Sequence, residues 1–234
     1  MIINYNGQEI NILIEYKKRK SISIKIDYDL KVRVLVPKEA NQDQVMNIVE
    51  SKLDLISKKL DEIRRLSQKQ DIYKPNDKQV LYMGKKYSIK VILDKNLEKS
   101  NIYIQKDSII INTQNEEDEQ IKSIIESYLK KECLKNVKKR TAYHQSNFKS
   151  KPKSISVVES NKFWGLCNSN RDIQFNWRLI MAPVEVIDYV VVHEMSHMAH
   201  MNHSKSFWKM VAKIMPDYKK QVEWLGINGR YMSI

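Results

Sequence analysis

The chain has 234 residues, of which 42% are hydrophobic and only five are glycine and five proline, so it can bury a sizeable core. This composition excludes a disordered, collagen-like or cysteine-stapled chain. Forty-one Lys and Arg residues against 28 Asp and Glu residues give a formal net charge of +13. Such a surplus favours phosphates, acidic lipid heads or acidic proteins as partners, whatever the fold.

The two cysteines, Cys133 and Cys167, lie far apart and form no paired spacing. They exclude a disulfide framework and a cysteine-only zinc site, and they fit a reduced, cytoplasmic setting. The N-terminal segment lacks the apolar core of a signal peptide, and Glu185 and Asp188 interrupt the most apolar stretch, residues 184–192. We therefore expect no association with a membrane.

Two groups of strands are predicted in the first half of the chain. Short segments rich in Ile and Val predict strands over 10–16, 21–26 and 31–36, with a turn at 27–29 between the last two. We interpret them as a small antiparallel sheet. A polar stretch over 68–78 predicts a linker before a second meander. The strands of that meander are predicted over 80–83, 87–93, 101–104 and 108–112.

A long amphipathic helix follows each group of strands. Asn41 is placed to cap the first helix, predicted over 41–66, and the helical period returns from Glu116 onward. Cys133 lies on the apolar stripe of the second helix, which makes it a core residue rather than a reactive thiol. The two stripes comprise Val45, Val49, Leu53, Ile56, Leu60 and Ile63, and then Ile121, Ile125, Leu129, Cys133 and Val137.

The last third of the chain differs from the rest, because it holds most of the histidines and tryptophans. We predict an α+β fold with an antiparallel β-rich N-terminal region over 1–115 and a second domain over 116–234. The elements predicted after the second amphipathic helix are strands over 154–158 and 173–177, a helix over 183–200, and a helix from Ser204 or Ser206 to Met215.

The segment His193-Glu194-Met195-Ser196-His197 is an H-E-x-x-H motif within the helix predicted over 183–200. Four residues make just over one helical turn, so both imidazoles project from the same face and can reach one Zn²⁺ ion. Glu194 then lies beside them, where it can act on a metal-bound water. The preceding segment 186–192 is nearly all apolar, which predicts a buried helix, and burying two unliganded histidines is costly.

A catalytic zinc site needs three protein ligands and one open position. In a continuous helix His200 would lie about 10 Å from His193 along the axis, too far for both to bind one ion together with His197. His203 can reach back if the helix ends near 201–202, where an asparagine tolerates the left-handed conformation. Two other third ligands remain open: Glu223 on a later helix, and Cys167 on a loop ahead of the motif, as in peptide deformylases.

The motif and its surroundings resemble the YgjP-like metallopeptidase family, which is related to the WLM and SprT-type minimal zinc proteases. The resemblance lies in HEMSHMAHMNHSKSFW, in the preceding WGLCNSNRDIQFNWRLIMAPVEVIDYVVV, in the early KKRKSISIKIDYDLKVRVLVP, and in YMGKKY over 82–87. It therefore covers nearly the whole chain.

The resemblance implies a zincin-like catalytic core and metal-dependent hydrolysis of peptide bonds. It assigns His193, His197 and His203 as zinc ligands and Glu194 as the base. The family usually reads Arg-Trp-Gly-Ser-Cys where this chain has Phe-Trp-Gly-Leu-Cys over 163–167. Because the Arg and the Ser are absent here, the family's role for this segment in substrate binding or transition-state stabilisation does not carry over directly. The metal site is unaffected by this difference.

A peptide or protein is the expected substrate, and we predict three residues as its contacts: Asn176, Trp177 and Trp164. The strand predicted over 173–177 is the candidate edge for an extended substrate, because main-chain bonds alone can hold a peptide along a strand.

The basic residues are concentrated between 128 and 153, where Glu132 is the only acidic residue. This pattern fits nucleic-acid binding, but a solvated helix face has the same composition, and no nucleic-acid-binding motif accompanies it. A nucleic-acid-binding protein with a structural zinc, and a protease recruited to DNA, are therefore alternatives to a zinc peptidase. The basic residues are Lys130, Lys131, Lys135, Lys138, Lys139, Arg140, Lys149, Lys151 and Lys153.

Overall fold

The computed structural model describes residues 1–27, 30–70, 75–76 and 78–234 of the chain. The chain divides into two units, Met1–Ile72 and Tyr73–Ile234. The boundary therefore lies near residue 72 rather than between 115 and 116, because the strands before residue 115 and the helix after it share one hydrophobic core. Tyr28 and Asp29 of the predicted turn, and residues 71–74 and 77 of the predicted linker, lie outside the described residues.

The first unit is a four-stranded sheet followed by two helices. Strands β1 (Ile2–Tyr5), β2 (Gln8–Lys17), β3 (Ser23–Ile26) and β4 (Val32–Pro37) are ordered β1-β2-β4-β3. The sheet is mixed rather than antiparallel as predicted, since β4 pairs in parallel with β2. The reason is that the β3–β4 hairpin joins β2 through its second strand. The helices are α1 (Gln42–Glu50) and α2 (Leu53–Gln70).

Alternation along the strands places the core of the first unit on one face of its sheet. Val32, Val34 and Val36 are fully buried along β4 and pack in the same cluster as Val45 and Val49 of α1. The side chain of Asn41 caps α1 by accepting a hydrogen bond from the Asp43 N–H, as predicted. The single predicted helix over 41–66 is interrupted: α1 ends at Glu50 with Ser51 as its C-cap, and α2 begins at Leu53.

The second unit begins with the same arrangement of four strands and a helix. Strands β5 (Gln79–Tyr82), β6 (Lys85–Leu93), β7 (Asn101–Gln105) and β8 (Ser108–Thr113) are ordered β5-β6-β8-β7, and β6 pairs in parallel with β8. Helix α3 (Asp118–His144) follows. The hairpin turn Met83-Gly84 has the positive φ angles, 50° and 76°, of Asn6-Gly7 in the first unit, 77 positions earlier.

The similarity extends to the sequence of the helices. Ile48-Val49-Glu50-Ser51 in α1 corresponds to Ile124-Ile125-Glu126-Ser127 in α3, 76 positions later. The chain thus contains one ββββα arrangement twice, a repeat that the sequence analysis missed because few residues are identical between the two copies.

The second copy supports the rest of the second unit. A three-stranded sheet of β9 (Ser154–Val158), β10 (Gly165–Cys167) and β11 (Asp172–Asn176) is ordered β10-β11-β9. Helices α4 (Val184–His197), α5 (Lys205–Ile214) and α6 (Tyr218–Asn228) complete the unit. The apolar stripe of α3 is buried from Ile125 onward, and Ile121 is half-buried. The N–H groups of Met83 and Gly84 donate to the carbonyls of Ile180 and Met181 just ahead of α4.

These elements confirm the predicted α+β fold class, with β-sheets toward the N-terminus and the histidine-bearing helix toward the C-terminus. Within the part of the chain that the structure describes, no helix has both the length and the apolar character needed to cross a membrane.

Candidate active site

Helix α4 carries His193, Glu194 and His197 in its last two turns. It ends at His197 rather than at His200 as predicted, because the Ser196 carbonyl accepts the N–H groups of both Ala199 and His200 and closes the last turn. Asn202 does not adopt the predicted left-handed conformation. The chain instead turns over 198–203 and enters α5 at Ser204, whose side chain accepts from the Phe207 N–H.

This turn brings three imidazoles together. The Nε2 atoms of His203 and His193 lie 3.0 Å apart, and the candidate ligand atoms of His193, His197 and His203 all lie within 4.8 Å of one another. In a tetrahedral zinc site with bonds near 2.0 Å, ligand nitrogens are about 3.3 Å apart. The donor set therefore fits a zinc ion. Cys167, Glu223 and the side chain of His200 are not members of this group of described residues.

The second nitrogen of each α4 histidine has a partner. His197 Nδ1 lies 3.0 Å from the carbonyl oxygen of His200, and His193 Nδ1 lies 3.3 Å from the hydroxyl of Tyr189. If Nε2 of each ring were to bind a metal, each Nδ1–H would donate to these oxygens, which would fix the tautomer and the ring orientation. His200 thus takes part through its backbone carbonyl rather than its side chain.

A stack of aromatic rings connects two of the three histidines. Tyr189 stacks on Tyr218 with ring centroids 6.3 Å apart, and Tyr218 stacks on Trp208 at 5.3 Å. Trp208 in turn stacks on His203 at 5.7 Å. Tyr189 contacts His193 at its other end, so α4, α5 and α6 together orient His193 and His203. Sequence reasoning missed this stack, because its members are spaced irregularly along the chain.

The environment keeps the α4 imidazoles neutral. Burial, with smaller contributions in the same direction from the neighbouring His197 and His203, lowers the pKa of His193 to about 3. Burial also lowers the pKa of His197, against a hydrogen bond to the His200 carbonyl that raises it. Since a metal binds the neutral imidazole, these two residues are ready to bind one without first releasing a proton.

The side chain of Glu194 lies against strand β10. Its side chain is 4% exposed, and burial raises its pKa to about 8, opposed by a hydrogen bond from the backbone N–H of Cys167. The carboxylate lies against Gly165, where a Cβ atom would be 2.5 Å from Glu194 Cγ and 2.6 Å from Oε1. The Trp-Gly-Leu-Cys segment therefore positions the carboxylate, a role the sequence alone did not reveal.

The three predicted substrate contacts lie in or beside the core of the second unit. Trp177 is completely buried in the core of the second unit. Asn176 is 3% exposed; its amide donates to the carbonyl of Ser160 and its oxygen accepts from the Arg178 N–H, so its polar atoms serve the local backbone. Trp164 is half-buried, and together with Asn176 it lines a cavity of about 410 Å³.

The strand predicted as the substrate edge is also different. β11 lies between β10 and β9 in the three-stranded sheet, so both of its sides are already paired. The edge strand beside Glu194 is β10. The Asn176 N–H donates to the Trp164 carbonyl, and the Asn168 N–H donates to the Asp172 carbonyl. In an antiparallel pair every second residue bonds the neighbouring strand, so the N–H and C=O groups of Gly165 and Cys167 point away from β11.

The basic surface includes residues with internal partners. Arg140 forms a two-pronged ion pair with Asp188 of α4, so it ties α3 to the histidine helix. Lys130 pairs with Glu126, and Lys135 with Glu132. Lys138 and Lys139 are exposed on the same helix.

Comparison with known proteins agrees with this geometry. The family model described as YgjP-like, metallopeptidase domain matches residues 20–228 of the chain, a span that contains the histidine cluster, Glu194 and β10. None of the curated proteins matches the chain.

Proposed function

Since the chain belongs to the YgjP-like metallopeptidase domain family, we propose that it is a zinc-dependent peptidase in which Glu194 is the base. One observation carries the proposal: three imidazoles converge on one point, and a buried carboxylate from the same helix turn is held beside them by β10.

Zinc is the metal that this donor set favours. Three neutral histidines suit a catalytic zinc site, in which a fourth position is left for water, whereas a structural site is closed by a fourth protein ligand. Within the described residues the group has three members, and His203 is exposed, so the site is open on that side. A bound zinc ion supplies the acidification of the attacking water and the polarisation of the scissile carbonyl.

Glu194 accepts the proton of the attacking water and then delivers it to the leaving amine. The first step requires an ionised carboxylate, and the second uses the proton that the carboxylate has just taken up. Burial, opposed by the hydrogen bond from the Cys167 N–H, raises the pKa of Glu194 to about 8. A nearby cation lowers the pKa of a carboxyl group, so a bound metal would help to keep Glu194 ionised and able to act as the base. The Cys167 N–H and the close contact with Gly165 keep the carboxylate in one place during both transfers.

We propose that an extended substrate binds along the edge strand β10. Gly165 directs its backbone groups away from β11 and adjoins Glu194, so an extended peptide along this edge passes close to the base. This assignment replaces β11. Of the predicted contacts, Trp164 is half-buried, and Asn176 lines the same cavity. The cavity that Trp164 lines is a candidate pocket for a substrate side chain.

Metal analysis tests the ligand set. Elemental analysis of the purified wild type should give one zinc per chain, His203→Ala should lose most of it, and His200→Ala should retain it as the matched control. If Glu223→Ala alone empties the site, the ligand set is wrong. If wild type binds no zinc from a metal-supplemented medium, the proposal fails.

Hydrolysis tests the base. Glu194→Gln preserves the shape of the side chain but cannot accept a proton, so we expect zinc to stay bound and cleavage of fluorescent casein to fall by about 10² to 10⁴. Full activity in this variant would remove Glu194 from the mechanism. Loss of zinc would instead identify Glu194 as a ligand.

A further inference from the structure

The first unit contains an apolar groove at the open edge of its sheet. The groove has a volume of about 330 Å³ and lies between β3 and the helices α1 and α2. Ile48 and Leu55 of these helices are 38% and 61% exposed. The residues used below are Ile22, Ile24, Ile26, Ile48, Lys52 and Leu55. All of them belong to the first unit, so the groove is independent of the histidine cluster.

The free side of β3 offers backbone hydrogen bonds beside the groove. β3 is the last strand in the order β1-β2-β4-β3, and within the described residues it pairs only with β4. The Asp27 N–H donates to the Lys31 carbonyl. Every second residue of an antiparallel strand bonds the same neighbour, so Lys25 and Ser23 bond β4 through their backbone groups. The N–H and C=O groups of Ile24 and Ile26 therefore point outward, away from β4. An exposed strand edge of this kind is a template for pairing with another extended chain.

The second copy of the ββββα arrangement shows that the fold does not require this apolar rim. A groove of about 630 Å³ lies at the corresponding place, between β7 and α3. Its lining combines apolar side chains, Ile102, Ile124 and Tyr128, with polar ones such as Ser100, Gln114 and Ser127. Leu55 corresponds to Lys131, 76 positions later. The same architecture therefore accommodates a charged residue where the first unit exposes a leucine.

Lysines around the groove favour a ligand with negative charge. Among the described residues of the lining, Lys52 is the one that carries a charge. Lys25 is exposed on the opposite face of β3, and Lys18 and Lys20 are exposed in the connection that leads into this strand. A strand added beside β3 would thus place alternate side chains in an apolar groove and the others next to lysines, where opposite charges are favourable.

We propose that this groove binds an extended peptide segment, added as a fifth strand along β3, with apolar residues facing the groove and acidic residues between them. The outward groups of Ile24 and Ile26 hold its main chain, and Ile48 and Leu55 cover its apolar side chains. The surface is a second peptide-binding site, outside the proposed catalytic centre.

The experiment uses the full chain carrying Glu194→Gln, so that the probe is not hydrolysed and the outcome does not depend on peptidase activity. A fluorescein-labelled octapeptide of alternating glutamate and valine is titrated by anisotropy. Leu55→Gln should weaken binding at least fivefold, as expected from losing about 1 kcal/mol of apolar contact. Leu13→Gln is the matched control, because Leu13 is 54% exposed on β2 and should leave the affinity unchanged.

Ile24→Pro tests the main-chain bonds, because proline removes an outward N–H without removing a bond to β4. It should also weaken binding at least fivefold, and if it fails to fold, the Leu55→Gln and Leu13→Gln pair decides alone. Equal affinity of the Leu55→Gln and control chains overturns the proposal. So does a single-stranded oligonucleotide that displaces the probe from the same groove, or self-association of the chain that Leu55→Gln abolishes.

Discussion

Gly165 lies so close to the side chain of Glu194 that the smallest substitution tests the proposed mechanism. In Gly165→Ala the new Cβ would lie 2.5 Å from Glu194 Cγ, 2.6 Å from Oε1 and 2.8 Å from Cδ. Carbon atoms pack comfortably at about 3.5 Å, so the carboxylate must move by about 1 Å. It cannot do so freely, because Glu194 is 4% exposed and surrounded by protein.

A displacement of this size at a reacting group costs about 10²-fold in rate. We therefore expect kcat to fall by about that factor while zinc remains bound, since the three atoms nearest to the new methyl group all belong to Glu194. Overpacking should lower the free energy of unfolding by about 1–3 kcal/mol, so activity is measured well below the melting temperature.

Three measurements decide the outcome: casein cleavage, zinc content, and the melting temperature of Gly165→Ala. Leu166→Ala is the matched control, because Leu166 is the next residue of β10 and is 44% exposed. Combining Gly165→Ala with Glu194→Gln should cause little loss beyond that of Glu194→Gln, since both act through one carboxylate. A zinc-bound Gly165→Ala protein with activity within twofold of wild type would refute the reasoning.

Three further predictions concern other parts of the second unit. Tyr189→Phe removes the hydroxyl that orients His193, so zinc affinity measured by chelator competition should fall by about 10-fold or more, with an unchanged melting temperature of the metal-free chain. Burial raises the pKa of Cys133 to about 12, so its thiolate is scarce at pH 8, and iodoacetamide should label it in urea but not in the folded protein, as mass spectrometry would show. In the unfolded chain this thiol ionises from about pH 8.5, so Cys133 should make stability fall as pH rises above that value. Lys138→Glu with Lys139→Glu should weaken DNA binding and its salt dependence if α3 engages phosphates, and equal salt slopes for both proteins would show that it does not.

Local patterns in the sequence determined those features that repeat along one element. The four-residue spacing of His193 and His197 places both rings on one face of any α-helix, and the apolar stripe of α3, including Cys133, is buried as its period predicts. Both inferences hold because helical geometry depends on neighbours a turn away. The family resemblance likewise rests on contiguous segments, and the matched span of residues 20–228 confirms it.

The tertiary structure decided what depends on residues far apart in the chain. Strand order cannot be read from alternation, so the sequence did not show that β4 runs parallel to β2, nor that β10 rather than β11 is the edge. Basic composition did not reveal that Arg140 is committed to Asp188. The contact of Gly165 with Glu194 joins positions 29 residues apart through a sheet edge and a helix, and only the packing of those two elements brings the atoms together.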